Sequence, residues 1–345
     1  MAYTTINKSS LHMNTKLYSG TGSSQNITGV GFQPDFVWCK ARSGTWGSYN
    51  HNLFDVIRGV TKRITSNDTL AEATVATSLT AFNADGWTGG GDNETNNSGT
   101  EYVSWNWLAN GAGSANTDGS ISSTVSANTT SGFSIVSYTG TGSLATVGHG
   151  LGMAPKMILI KDLSTRDWAV YHEAMGNTYG IYLNLTNAQG GGNSDFWGST
   201  SPTSTVFTIN TRNENNNNGS NYIAYCFADV QGFSKMGSYT GNGDSDGPFI
   251  FTGFKPSFIM FKSTSTTGGW EIHDNKRDPF NVSSKRLFPN LSNAEATEDY
   301  VDFVSNGFKF RTNDANGNTN GVSYIYMAFA EAPLVGTNNI PANAR

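Results

Sequence analysis

Three runs of consecutive large apolar residues recur along the chain: FVWCK at 36–40, MILIK at 157–161 and FIMFK at 258–262. Apolar residues at both alternating sets of positions predict a strand buried on two faces. One set holds Phe36, Met157 and Phe258, the other Val37, Ile158 and Ile259. Pro34, Pro155 and Pro256 stand just ahead of these runs, where the missing N–H costs a sheet least. A second strand pattern, alternating more plainly, starts at Tyr102, Tyr222 and Tyr324 (YVSWNWLA, YIAYCFA, YIYMAFA). Between the patterns lie polar turns: YSGTG from Tyr18, YTGTG from Tyr138, YTGNG from Tyr239, and the loops GDNETNNSG, RNENNNNG and NDANGNTNG. Gly and Asn tolerate the left-handed conformations such turns need. Helical signals are confined to SNAEATEDYVDFV near 292–304, with Ser292 or Asn293 as cap, and NDTLAEATVA near 67–76.

The order of these signals repeats as well as their type. Pro follows the turn Tyr by 16, 17 and 17 residues, and Lys40, Lys161 and Lys262 follow Pro by six. Trp46, Trp168 and Trp270 come next, then His51, His172 and His273. FNADGW ending at Trp87 and FVSNGF ending at Phe308 match each other, and STVFTI around Val206 matches them loosely. The expectation is an all-β chain of three tandem repeats of a β-sandwich-like module of about 100 residues. An open barrel is the other architecture the strands allow. The boundaries read as an N-terminal arm 1–15, modules 16–110, 131–231 and 232–332, a polar linker 111–130, and a tail 333–345.

Composition narrows the function. Charged residues make up 14% of the 345 and the formal net charge is −5, with no basic run, which argues against nucleic-acid binding. Aromatics at 12% argue against disorder. No stretch resembles a membrane span, and MAYTTINKSS has no apolar h-region of a secretory signal. Two cysteines, Cys39 and Cys226, do not make a disulfide framework; they read as buried thiols, with a single bridge as the alternative.

No catalytic signature (GxSxG, HExxH, CxxC, Walker loop) is present. Asp35, Glu101, Glu173, Glu214, Asp229, Glu271 and Asp274 have the type needed for paired-carboxylate hydrolysis, but none recurs in all three modules. Asp92, Asn93 and Glu94, and Asp244 with Asp246, offer calcium-type oxygens without the spacing of a calcium loop, so turn chemistry is the better reading. No catalytic residue, metal ligand or cofactor is assigned. Trp46 with His51, Trp168 with His172, and Trp270 with His273 admit two readings. One is structural: a Trp closing each module and a His bonded to backbone. The other is glycan binding, where a flat ring covers a sugar face and polar neighbours meet its hydroxyls. Lys40, Lys161 and Lys262 are expected to end a strand with the ammonium in water.

MAYTTI, the YTGTG runs and GFQPDFVWCKARS together resemble a family of uncharacterised proteins of marine and freshwater tailed bacteriophages, usually labelled tail fibre or virion structural proteins. The best-matched residues are Gln33, Pro34, Asp35, Val37, Trp38 and Lys40. The resemblance spans nearly the whole chain and implies a place on the virion, among other virion proteins, without catalytic residues. The chain departs from the tail-fibre pattern in showing no separate anchoring domain and no heptad stalk. The lead expectation is a non-enzymatic, surface-exposed tail fibre or adhesin-like protein binding host glycans. A capsid decoration or head-fibre protein is the alternative, and a glycan depolymerase the second alternative. The apolar residues of the arms (Leu11, Met13, Leu334, Val335, Ile340) suggest packing on a neighbouring subunit, so a homotrimer is expected, with a threefold arrangement inside one chain as its rival.

Overall fold

The computed structural model describes residues 3–43 and 49–335. Its architecture is nearly all β, in several antiparallel sheets. Three four-stranded arrays share one strand order. In the first unit Met13–Ser19 pairs with Glu101–Trp107, which pairs with Phe36–Ala41, which pairs with Asn52–Asp55. The second unit runs Phe133–Thr139, Asn221–Phe227, Met157–Asp162, Trp168–His172. The third runs Ser234–Thr240, Ser323–Pro333, Phe254–Ser263, Trp270–Asp274. The registers correspond: Phe36 faces Trp107, Met157 faces Phe227, and Phe258 faces Phe329. Pro34, Pro155 and Pro256 each lie two residues before those positions; Pro256 sits within its strand at a register shift, which spares the ladder.

The doubly apolar runs are explained by two burials. Val37 and Cys39, Ile158 and Ile160, and Ile259 and Phe261 pack toward each unit's own small sheet, against Trp87, Phe207 and Phe308 respectively. The alternate residues Phe36 and Trp38, Met157 and Leu159, and Phe258 and Met260 enter one core shared by all three units. At its centre Trp107, Phe227 and Phe329 form a triangle with ring centroids 6.3, 5.8 and 6.0 Å apart. The three large sheets therefore surround a common hydrophobic interior, and each is buried on both faces.

The turns are built alike. Tyr18 stacks on Tyr102, Tyr138 on Tyr222 and Tyr239 on Tyr324, at 5.1, 5.1 and 4.8 Å. Gly20, Gly140 and Gly241 lie so close to the loop opposite that a Cβ would sit 2.1, 2.4 and 2.2 Å from a backbone oxygen. Only glycine fits there.

Several expectations need correction. The segment 111–130 is not a plain linker: Ser114–Asn116 and Ser123–Asn128 form a hairpin that extends the second unit's sheet. Neither expected helix forms. Ala296–Val304 is a strand, because Tyr300, Val301 and Phe303 find a core to enter. At 67–76 the Asp68 carboxylate accepts from Thr65 Oγ1 and Leu70 N, holding a turn that competes with helix. Ile6 and Met13 of the N-terminal arm are buried within the chain itself, and Tyr3 donates to the Gly253 carbonyl at 2.7 Å. Both cysteines are free and buried, and burial pushes the Cys226 thiol up to about 12.

Candidate functional site

The recurring chemistry gathers at the three boundaries between units. The expected solvent exposure of the lysines is wrong: Lys40, Lys161 and Lys262 are fully buried. Lys40 Nζ donates to the carbonyls of Ala41 (2.9 Å) and Ser292 (3.1 Å). Lys161 Nζ donates to Thr69 (3.3 Å), Ser164 (3.0 Å) and Arg166 (2.7 Å). Lys262 Nζ donates to Thr186 (3.2 Å) and Ser263 (3.0 Å). Each ammonium thus ties its own strand to a loop of a neighbouring unit: first to third, second to first, third to second. Loss of hydration pushes each down to about 8.

Trp168 and Trp270 are also fully buried, and their indole N–H groups donate to Thr65 O and Tyr182 O, both at 2.8 Å and both across a boundary. A ring with no exposed face offers nothing for a sugar to stack on, so the glycan reading does not hold at these two residues. Trp46 lies outside the described residues. The three histidines are not equivalent in register. His51 occupies the place of Trp168 and Trp270, and accepts from Trp38 Nε1 at 2.9 Å. His172 faces Met157 just as Asp55 faces Phe36 and Asp274 faces Phe258, while His273 is one position earlier. All three are buried, and burial lowers their basicity, to about 4 for His172. None of the three is presented to a ligand.

The Asp55, His172 and Asp274 positions each cap the turn that follows and reach across a boundary. Asp55 and Asp274 pair with Arg58 and Arg277 at 2.5 Å, and accept from Tyr225 Oη (2.8 Å) and Trp105 Nε1 (3.0 Å) of another unit. His172 Nδ1 accepts from Ala174 N, which leaves Nε2 to donate to Tyr326 O at 3.2 Å. A third set of bonds is entirely backbone: Glu72 N to Leu163 O, Gln189 N to Thr264 O, and Glu295 N to Arg42 O, at 3.0, 2.9 and 3.0 Å.

The sequence reading missed one set of residues with a plain signal. Asn96, Asn216 and Asn318 each lie six residues before the Tyr that opens the closing strand, and all are fully buried. Each amide receives the backbone N–H of the Gly-rich turn (Thr21, Thr141, Asn242) and donates to carbonyls on both flanking loops. They hold the turns in place.

The candidate carboxylates are engaged elsewhere. Glu271 pairs with Arg286, Asp229 with Lys235, Glu214 with Arg212 and Glu173 with Lys156. Asp35 accepts from Ala109 N, and Glu101 from Ser19 Oγ. Among the described residues, no group of three or more His, Cys, Asp or Glu is placed to hold a metal ion, and no helix is long and apolar enough to cross a membrane. Asp92 pairs with Arg63 and Asp246 with Lys309.

Two of the open grooves among the described residues combine polar groups with apolar side chains. One, of about 480 Å³, lies where the first and second units meet, lined by Ile57, Glu72, Thr124, Ser137, Leu163 and Asn221 among others. The other, of about 570 Å³, lies on the third unit between Tyr3 and Phe251, with Asp229, Gln231 and Lys235. Phe249 and Phe251 point outward from the edge strand Phe249–Phe251 and are 48% and 57% exposed. The matching outward residues of the first unit, by pairing with Trp87 and Phe308, are Asn26 and Thr28.

Sheets around a shared interior, with the conspicuous side chains spent on fastening them, define an all-β scaffold with open grooves. The chain matches the family model described as a domain of unknown function, DUF7483, over residues 8–333, and it belongs to that family. The matched stretch takes in all three units. No curated protein matches the chain.

Proposed function

We propose that the three units are tandem copies of one β-sandwich module closed into a ring, and that the chain is a non-enzymatic virion surface protein, tail-fibre or adhesin-like, that meets host glycans. The single observation carrying the adhesin reading is the pair Phe249 and Phe251. Two exposed aromatic rings, of which Phe251 lines the groove on the third unit, serve contact, not the core, and the corresponding first-unit positions are polar. The ring supports the structural part: lysine and backbone bonds recur at all three boundaries in the same cyclic order, and the indole bond at two of them. The chain then supplies its own threefold, with Ile6 and Met13 packed internally, and works without two further copies. A capsid decoration role is the second reading, favoured by that same axis, which would suit a threefold position on a shell.

Two measurements test the proposal. Peptide mass spectrometry of gradient-purified particles of the encoding phage should find the chain, and antibodies raised against it should label intact particles at the tail. Label spread over the head favours decoration; absence from the particle refutes the virion reading. The variant F249S/F251S should stay folded and lose binding to host cells, and undiminished binding would refute the adhesin role.

A further inference from the structure

The groove between the first and second units owes its depth to chain that the other two boundaries lack. From Trp107 to Phe133 the chain uses 25 intervening residues (108–132), but from Phe227 to Ser234 only six (228–233). The extra residues form the Ser114–Asn116 and Ser123–Asn128 hairpin, and Ala115, Ser122, Ser123 and Thr124 become one wall. At the corresponding boundary of the third and first units, without a hairpin, the surface holds about 270 Å³ beside Leu17 and Lys276; here it holds about 480 Å³. A mostly polar insertion that sends only Val125 fully into the second unit's core, yet walls a cavity of small-molecule size, is best explained by what the cavity takes up.

The lining states the chemistry. Ser122, Thr124 and Ser137 present hydroxyls with no hydrogen-bond partner among the described residues, and Thr139 shares its own with Asn221 at 3.0 Å. The Glu72 carboxylate stands 3.4 Å from Arg58 and 3.8 Å from Lys62, fixed but partly exposed. Ile57 and Leu163 supply the apolar part. Arg58 is not free to take an anion: its guanidinium is committed to Asp55 and to the carbonyls of Leu53 and Lys62. Hydroxyl donors and acceptors, an amide and an anchored carboxylate over aliphatic side chains suit a ligand dense in hydroxyls, with C–H faces and no negative charge.

We propose that this groove binds a short neutral oligosaccharide, with Glu72 and Asn221 meeting vicinal hydroxyls and Leu163 and Ile57 packing on a sugar face. The site deepens the adhesin reading and rests on it only for where the glycan comes from.

The test uses the full chain with maltotriose, cellotriose and triacetylchitotriose as probes and trigalacturonate as the anionic control, followed by saturation-transfer NMR and titration. At least one neutral trisaccharide should bind with a Kd of about 1 mM or tighter. S137W, which fills the groove, should weaken it by about tenfold or more, and E72Q should weaken it measurably. S122W, on the exposed wall, repeats the test should S137W fail to fold. No binding by any neutral probe, stronger binding of trigalacturonate, or binding unmoved by the folded Trp variants would each overturn the site. Those failures would leave the particle localisation standing, and absence from the particle would leave a demonstrated trisaccharide site standing.

Discussion

Replacing Arg277 by Met would strip the counter-charge from Asp274 while keeping a side chain that fills the space. The second unit already has Met175 at the corresponding place, with uncharged His172 instead of an aspartate. Asp274 and Arg277 are fully buried and bonded at 2.5 Å. The Arg277 guanidinium holds the Asp274 carboxyl below its usual range against the opposing effect of burial. Without it the carboxylate keeps two turn N–H donors and Trp105 Nε1, and the Ile272 carbonyl loses one donor but keeps Leu287 N. Breaking a buried ion pair from one side costs about 3–5 kcal/mol, most of it from the stranded charge. D274N/R277M removes that charge and should recover at least half of the loss, giving a coupling energy of about 2 kcal/mol. Urea denaturation followed by tryptophan fluorescence reads both values. A cost under about 1 kcal/mol for R277M, or a double variant worse than R277M, would refute the claim that this pair staples the third unit to the first.

Three further outcomes are expected. Because the lysines sit near 8 in the folded chain and near 10.5 when unfolded, the unfolded state holds more protons between those values, and stability rises with pH there. The gain from pH 7.5 to 9.5 is about 2 kcal/mol per lysine, and an unchanged or falling urea midpoint would contradict it. His172 acts at the acid end: its pKa is about 4 folded against 6.5 unfolded, so stability is lost as pH falls from 6.5 toward 4, by up to about 3 kcal/mol, and H172Q should flatten that part of the profile. N216A should cost about 3 kcal/mol, since it strands the Asn210 carbonyl and the N–H of Thr141 and leaves the Ser143 carbonyl with Thr141 Oγ1 alone; a loss below about 1 kcal/mol would show that the turn does not depend on it.

Much of the fold was legible because it is written locally. FVWCK, MILIK and FIMFK showed apolar residues at both parities, and a strand buried on two faces has no other pattern. What the second face met was not legible, since the shared core joins Trp107, Phe227 and Phe329 from segments more than a hundred residues apart. The lysines were misread for the same reason: a Lys at a strand end normally reaches water, and nothing near Lys262 announces that Thr186 O will receive it. Trp168 and Trp270 were correctly singled out as recurring, but recurrence marks a shared structural role as readily as a ligand. His51, His172 and His273 aligned by order and not by register, because one-residue shifts along a strand change the face a side chain takes. The hairpin within 111–130 was hidden by its own polarity: Val125 is its one fully buried apolar residue, with Ile121 and Ala127 partly buried beside it.

The central claim is that three units surround one hydrophobic interior and are fastened at every boundary by buried polar bonds, which makes the chain one cooperative body. Differential scanning calorimetry tests this most directly. The account predicts a single transition with calorimetric enthalpy equal to the van't Hoff value, on the order of 240 kcal/mol near 60 °C at roughly 0.7 kcal/mol per residue. Two or three resolved transitions, each with a van't Hoff enthalpy of about a third of that total, would show independent modules and contradict it.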